Sequence, residues 1–141
     1  MQGPLNFVPV GGGTYTGDVT IAAHLQFSSP TPSAAISAGA GSGAPAPVIV
    51  TGSNDGAGTI NWGTGSGPNT QKQLTLTFGR PFVIPGGGAP HIVVSPQNAA
   101  TAALGIFPSG ASPTGYNLGV QNAPSAGQGS STYSFSYIVT G

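Results

Sequence analysis

Apolar and polar residues alternate with a period of two along several short runs of this chain, and nowhere do they hold a 3.6-residue helical period over three turns. The clearest run covers residues 132–139, where Tyr133, Phe135, Tyr137 and Val139 fall on one face and serines on the other. That pattern predicts a strand with one face buried. Leu74-Thr75-Leu76-Thr77-Phe78 and Tyr116-Asn117-Leu118-Gly119-Val120 repeat the period, and Val19-Thr20-Ile21 does so more weakly. His91-Ile92-Val93-Val94 and Val48-Ile49-Val50 are instead continuous apolar runs bounded by proline or glycine, the pattern of strands covered on both faces. With Thr59-Ile60-Asn61-Trp62 these make at least seven predicted strands.

The punctuation between the runs fits the same picture. Gly52-Ser53-Asn54-Asp55-Gly56 lies between two strand-like runs and reads as a hairpin loop whose Asn, Asp and Gly tolerate positive φ. Asn98-Ala99-Ala100-Thr101-Ala102-Ala103-Leu104 is the one helix-tolerant stretch, sufficient for a single turn or the start of a strand. Residues 28–47, 63–69 and 123–131 are rich in glycine, proline and serine and read as loops, the first being the most flexible-looking. In residues 1–12, Pro4 and Pro9 followed by a glycine triplet predict an extended arm and a pliable joint, an element suited to reaching a neighbouring subunit. Residues 13–141 then form a single β-rich domain. The expected fold is all-β, an antiparallel sandwich or jelly-roll-like domain with an extended N-terminal arm.

Composition narrows the function. The chain has 25 glycines and 14 prolines, a level that would suit disorder were its 38% hydrophobic residues scattered rather than gathered into alternating runs. Only Asp18, Asp55, Lys72 and Arg80 carry a full charge, where an ordinary domain of this length carries roughly 35 such residues. A surface so poor in charge associates readily, which points to a building block covered by copies of itself or by a larger assembly. Two separated basic residues cannot displace the counterions of DNA or RNA or hold an anionic membrane, so neither nucleic acid nor membrane is an expected partner. No cysteine is present, which removes disulfides, thiol chemistry and cysteine-ligated metal. The first residues show neither a basic leader nor a long apolar stretch, so the chain is expected to be made in the cytoplasm.

Little is available for catalysis. Asp18 and Asp55 are the only carboxylate side chains for a glycosidase-type pair, and both sit in turn sequences. No Gly-x-Ser-x-Gly elbow supports a serine relay, no local spacing joins His24, His91 and the aspartates into a metal site, and no glycine cluster carries a phosphate-loop signature. His91, opening an apolar strand, is expected to be partly buried and hydrogen-bonded to a nearby loop. We therefore expect no enzyme activity, no catalytic, cofactor or metal residues and no cofactor. Exposed aromatics can stack on sugar rings, and Trp62 and Tyr116 are the candidate glycan contacts; the alternative for these rings is the core.

Gly13-Thr14-Tyr15-Thr16-Gly17-Asp18-Val19-Thr20-Ile21 resembles the G-T-x-T-G-D-V-T segments of bacteriophage tail-fibre shafts and related virion fibres. Val50-Thr51-Gly52-Ser53-Asn54-Asp55-Gly56, Ala89-Pro90-His91-Ile92-Val93-Val94 and Pro113-Thr114-Gly115-Tyr116-Asn117-Leu118 resemble the strands and turns of the same β-rich knobs, so the likeness spans residues 13–141. It implies a non-enzymatic homotrimer on the exterior of the virion, in contact with other capsid or tail proteins. The chain starts at Met1 with room for only a short arm, which favours a capsid decoration or head-fibre protein over a tail-fibre receptor-binding tip. A carbohydrate-binding module for host surface glycans is the alternative of a different class.

Overall fold

A computed structural model describes residues 29–84 and 86–141; the predicted arm at 1–12, the strand at Val19-Thr20-Ile21, Asp18 and His24 lie outside them. Among the described residues eight strands form two four-stranded antiparallel sheets. They are β1 (Ser33–Ile36), β2 (Val48–Ile49), β3 (Ala57–Trp62), β4 (Leu74–Thr77), β5 (His91–Pro96), β6 (Ile106–Ser112), β7 (Gly115–Val120) and β8 (Tyr133–Thr140). The strand order is β1-β4-β7-β6 in one sheet and β2-β3-β8-β5 in the other. The sheets face each other as a sandwich, with β1 lying against β2 on one flank and β5 against β6 on the other.

Alternation builds the core. Tyr133, Phe135, Tyr137 and Val139 of β8 turn inward to meet Leu74, Leu76, Tyr116, Leu118 and Val120 from the opposite sheet, with Ile60 and Trp62 beside them on β3. The Trp62 ring meets Phe135 edge-on at 5.6 Å and Tyr133 at 5.2 Å. Each buried aromatic of this size contributes about 2–3 kcal/mol of burial, so this cluster is the main adhesive of a small fold. Residues 52–56 do close the β2–β3 hairpin, with Val48 opposite Asn61 and Ile49 opposite Ile60.

Several expectations are corrected. Residues 28–47 are not all loop: Ser33–Ile36 pairs with β4 in register, and a 3-10 turn follows at Ala38–Ala40. Small residues give this strand little signal of its own, but Ala34 and Ile36 pack on the core once β4 offers its edge. Strand β6 was hidden by Pro108 and Gly110; it tolerates them because it is an edge strand whose register shifts between Ser109 and Ser112. Strands β2 and β5 are not covered on both faces, since Val48 is 49% and Val93 64% exposed. Both are edge strands, and among the described residues nothing lies over their outer side. Asn54 and Asp55 do not adopt positive φ; Gly52 does. His91 is exposed on β5 rather than partly buried.

The helix-tolerant stretch forms one turn, α1 (Ala99–Ala102). The Asn98 side chain caps it by accepting from the Thr101 N–H at 2.8 Å. The buried Thr101 hydroxyl in turn accepts the Ser134 N–H at 2.8 Å, fixing the start of β8.

Candidate interaction surfaces

The two aromatic residues expected to meet glycans are both in the core. Trp62 is 0% and Tyr116 2% exposed, so neither ring can stack on a sugar. The inward positions of β3 and β7 place them between the sheets, where hydrophobic burial outweighs leaving a large ring in water. Among the described residues, Trp62 Nε1 and the Tyr116 hydroxyl have no hydrogen-bond partner, and neither does the Oε1 of buried Gln73. The amide nitrogen of Gln73 donates to the carbonyls of Asn69 and Gln71, both at 2.8 Å.

Asp55 is buried in the β2–β3 loop and anchors a cluster of polar contacts. Its Oδ1 accepts the Gly79 N–H at 2.8 Å and its Oδ2 the Arg80 N–H at 2.9 Å, while its own N–H donates to the Pro30 carbonyl at 2.8 Å. The neighbours close the loop around it. Asn54 Oδ1 accepts the N–H groups of Gly56 and Ala57, and Ser53 Oγ accepts from the Thr59 N–H at 3.0 Å. Tyr137 donates its hydroxyl to the Asn54 carbonyl at 2.6 Å. Burial first, and the nearby Asp55 charge second, push the Tyr137 phenol above its ordinary range; burial and then Tyr137 do the same to Tyr116. A carboxylate whose two oxygens are occupied by backbone donors is a clamp between loops.

Among the described residues, two of the surface hollows bear on binding. One, of about 200 Å³, lies on the outer side of β4 and β7 and is lined by Thr75, Thr77, Ser112, Thr114 and Asn117. Its polar groups bond to one another: Thr75 Oγ1 lies 2.9 Å from Ser37 Oγ and donates to Asn117 Oδ1 at 3.0 Å. The other, of about 270 Å³, is bounded by Ser29, Asp55, Arg80, Pro81, Phe82 and Val83 and is largely apolar. Among the described residues no group of three or more His, Cys, Asp or Glu side chains can hold a metal ion. No described helix is long and apolar enough to cross a membrane.

What stands out on the surface is apolar side chains on strands without charge. The eight strands contain no Asp, Glu, Lys or Arg. On the outer face of β2-β3-β8-β5, Val93 pairs with Ile138, which is 53% exposed. Val48 and Val50 are exposed at the opposite edge, and Thr59, Asn61, Ser134 and Ser136 lie between. Sequence reasoning missed these apolar positions on β2 and β5 because it took the short apolar runs as buried. The signal was present in β8, whose outward series Ser134, Ser136, Ile138, Thr140 breaks polarity at Ile138. No protein-family model, curated protein or solved structure matches this chain.

Proposed function

We propose that this chain is a non-enzymatic structural subunit that assembles with copies of itself, and that it serves as a trimeric decoration or head-fibre protein on the exterior of a phage particle. The observation that carries the assembly reading is a sandwich whose strands carry no charged residue and whose sheet β2-β3-β8-β5 exposes Val48 and Val50 at one edge and Val93, with Ile138 of the adjoining β8, at the other. Apolar side chains grouped on strands, in a chain with four formal charges, form a surface that gains by being covered and pays no charge desolvation when it is. The phage context and the number three come from the resemblance of residues 13–141 to virion fibres and knobs. The structural edges suit a subunit that joins only in a defined way. Pro32 precedes β1, Pro47 precedes β2, Pro96 ends β5 and a bulge interrupts β6, all features that blunt open-ended strand pairing.

The test is the absolute mass of the full chain by light scattering over a range of concentrations. The expected result is a concentration-independent mass of three times 13.6 kDa. A chain that stays at 13.6 kDa up to the highest concentration overturns the assembly reading.

A further inference from the structure

A line of polar side chains crosses the outer face of β1-β4-β7-β6, from Ser37 just past β1, over Thr75 of β4, to Asn117 of β7. Thr75 donates its hydroxyl to Asn117 Oδ1 at 3.0 Å, so at 2.9 Å from Ser37 Oγ it can only accept, and the direction of the chain is fixed. With Oδ1 held toward Thr75, the Asn117 Nδ2 turns toward β6, where a Cβ on Gly110 would come within 2.7 Å of it. Gly110, at φ 57° where the β6 register shifts, leaves that space clear, and both residues line the hollow of about 200 Å³. Among the described residues Nδ2 has no acceptor. Beside this donor stands Phe107, the one exposed aromatic ring among the described residues, 40% accessible. The end of its ring covers Gly119, where a Cβ would meet it at 2.6 Å, so glycine seats the aromatic against the sheet. Phe107 pairs with Gly119 and Ser109 with Asn117, which puts the ring and the amide two residues apart on one face, about 7 Å along the strand.

From an exposed ring beside an oriented, unpaired amide we infer that the outer face of β6 and β7 binds a neutral saccharide. One sugar ring lays its C–H face on Phe107 and offers a hydroxyl or acetamido oxygen to Asn117 Nδ2 in the hollow. The lining selects this chemistry. No Asp, Glu, Lys, Arg or His borders the hollow, so an ionic ligand would lose water without gaining a counter-charge. A purely apolar ligand would leave the Asn117 NH2 and the exposed Thr77 hydroxyl unpaired. A sugar carries both surfaces at once: C–H bonds that suit the negative face of an aromatic ring, and hydroxyls around the rim. The hollow is smaller than the roughly 300–1,000 Å³ pockets of drug-sized ligands, which suits one or two sugar rings. The inference is independent of assembly through Val48 and Val93, which lie on the other sheet. It also replaces the buried rings of Trp62 and Tyr116 with one that a sugar can reach.

The experiment records saturation-transfer NMR spectra of the full chain with glucose, galactose, mannose, N-acetylglucosamine, lactose and chitobiose. Each sugar is present at about 10 mM, because a ligand this small with two anchor points is expected to bind near 1 mM. Phe107→Leu keeps apolar cover over Gly119 but removes the ring face, and Asn117→Asp keeps the acceptor for Thr75 but removes the NH2 donor. Each is expected to weaken binding about tenfold while Trp62 fluorescence shows cooperative unfolding as in wild type. A wild type that receives transfer from none of these sugars overturns the inference, as does transfer that survives in both variants. Loss in Asn117→Asp alone overturns Phe107 as a platform, and loss in Phe107→Leu alone overturns Asn117 as the donor. The wild-type protein gives a check that needs no substitution: the Asn117 side-chain NH2 resonances shift on adding a sugar that shows transfer, and shifts confined to residues elsewhere overturn the site.

Discussion

Replacing Asp55 should damage the fold far more than its place in a hairpin loop suggests. The carboxylate is 2% exposed and receives one backbone N–H on each oxygen, from Gly79 at 2.8 Å and Arg80 at 2.9 Å. Those donors lie 24 and 25 residues away, just past β4 in the other sheet, so the side chain ties the β2–β3 hairpin of one sheet to the exit of the other. A hydrogen bond to a charged group contributes about 1.5–3 kcal/mol, and truncation strands both donors. Gly79 and Arg80 are exposed, so water repairs part of the loss, and Asp55→Ala should cost about 3 kcal/mol. Asp55→Asn keeps the shape but aims an NH2 group at one of the two N–H donors, and should cost about 2 kcal/mol. Against a total stability of about 5–15 kcal/mol, either change is large. Urea unfolding followed by fluorescence measures it well, because Trp62 is the single tryptophan and is fully buried. Chain concentration must be held constant, since assembly raises apparent stability. An Asp55→Asn variant within about 0.5 kcal/mol of wild type would refute the clamp.

Tyr137→Phe removes the bond to the Asn54 carbonyl and should cost about 1 kcal/mol, whereas Tyr116→Phe removes a hydroxyl with no partner among the described residues and should be neutral or stabilising; the same urea experiment separates them, and equal losses would contradict it. Stability should be nearly flat between about pH 4 and pH 9, because few groups titrate there. Both buried phenols are held above their ordinary value near 10, so the folded state keeps protons that the unfolded state releases. Their contribution is complete below pH 10 and is lost as pH rises beyond it, by about 1.4 kcal/mol per pH unit for each tyrosine; urea midpoints at pH 9, 10 and 11 that do not fall, or a slope unchanged in Tyr116→Phe, would contradict this. Gly65→Ala should prevent folding or cost at least about 3 kcal/mol, because its Cβ would lie 1.9 Å from the Ser42 carbonyl oxygen. Gly129→Ala, with open space around it, should be within about 0.5 kcal/mol of wild type.

The loops at the Gly65 end show how much a reading of local sequence leaves open. Residues 63–69 and 123–131 are legible as loops, yet they are tied to each other and to the 3-10 turn. Thr64 donates its hydroxyl to the Ser125 carbonyl, its N–H meets the Gln128 carbonyl at 3.0 Å, and Gly65 N–H meets the Ala40 carbonyl at 2.9 Å. Glycine is required at position 65 by close approach of another segment, a need that no local turn pattern reveals.

By itself the sequence determined which residues share a face in β4, β7 and β8, the hairpin at 52–56, and a helix-tolerant stretch at 98–104 left open between a single turn and the start of a strand. Each is written in neighbours one to four residues apart, through the two-residue period of a strand or the turn residues of a hairpin. The lack of charge, and with it the argument for association, was equally plain from composition. The tertiary structure alone decided that Ser33–Ile36 is a strand, that Trp62 and Tyr116 are core rather than sugar platforms, and that Asp55 clamps two sheets. It also decided that Val48 and Val93 lie exposed at opposite edges of one sheet. The reason is that alternation sets which side of a strand an apolar residue takes, whereas cover on that side depends on strand order. That order is fixed by partners far away in the chain, such as Ile138 beside Val93 and Gly79 beside Asp55.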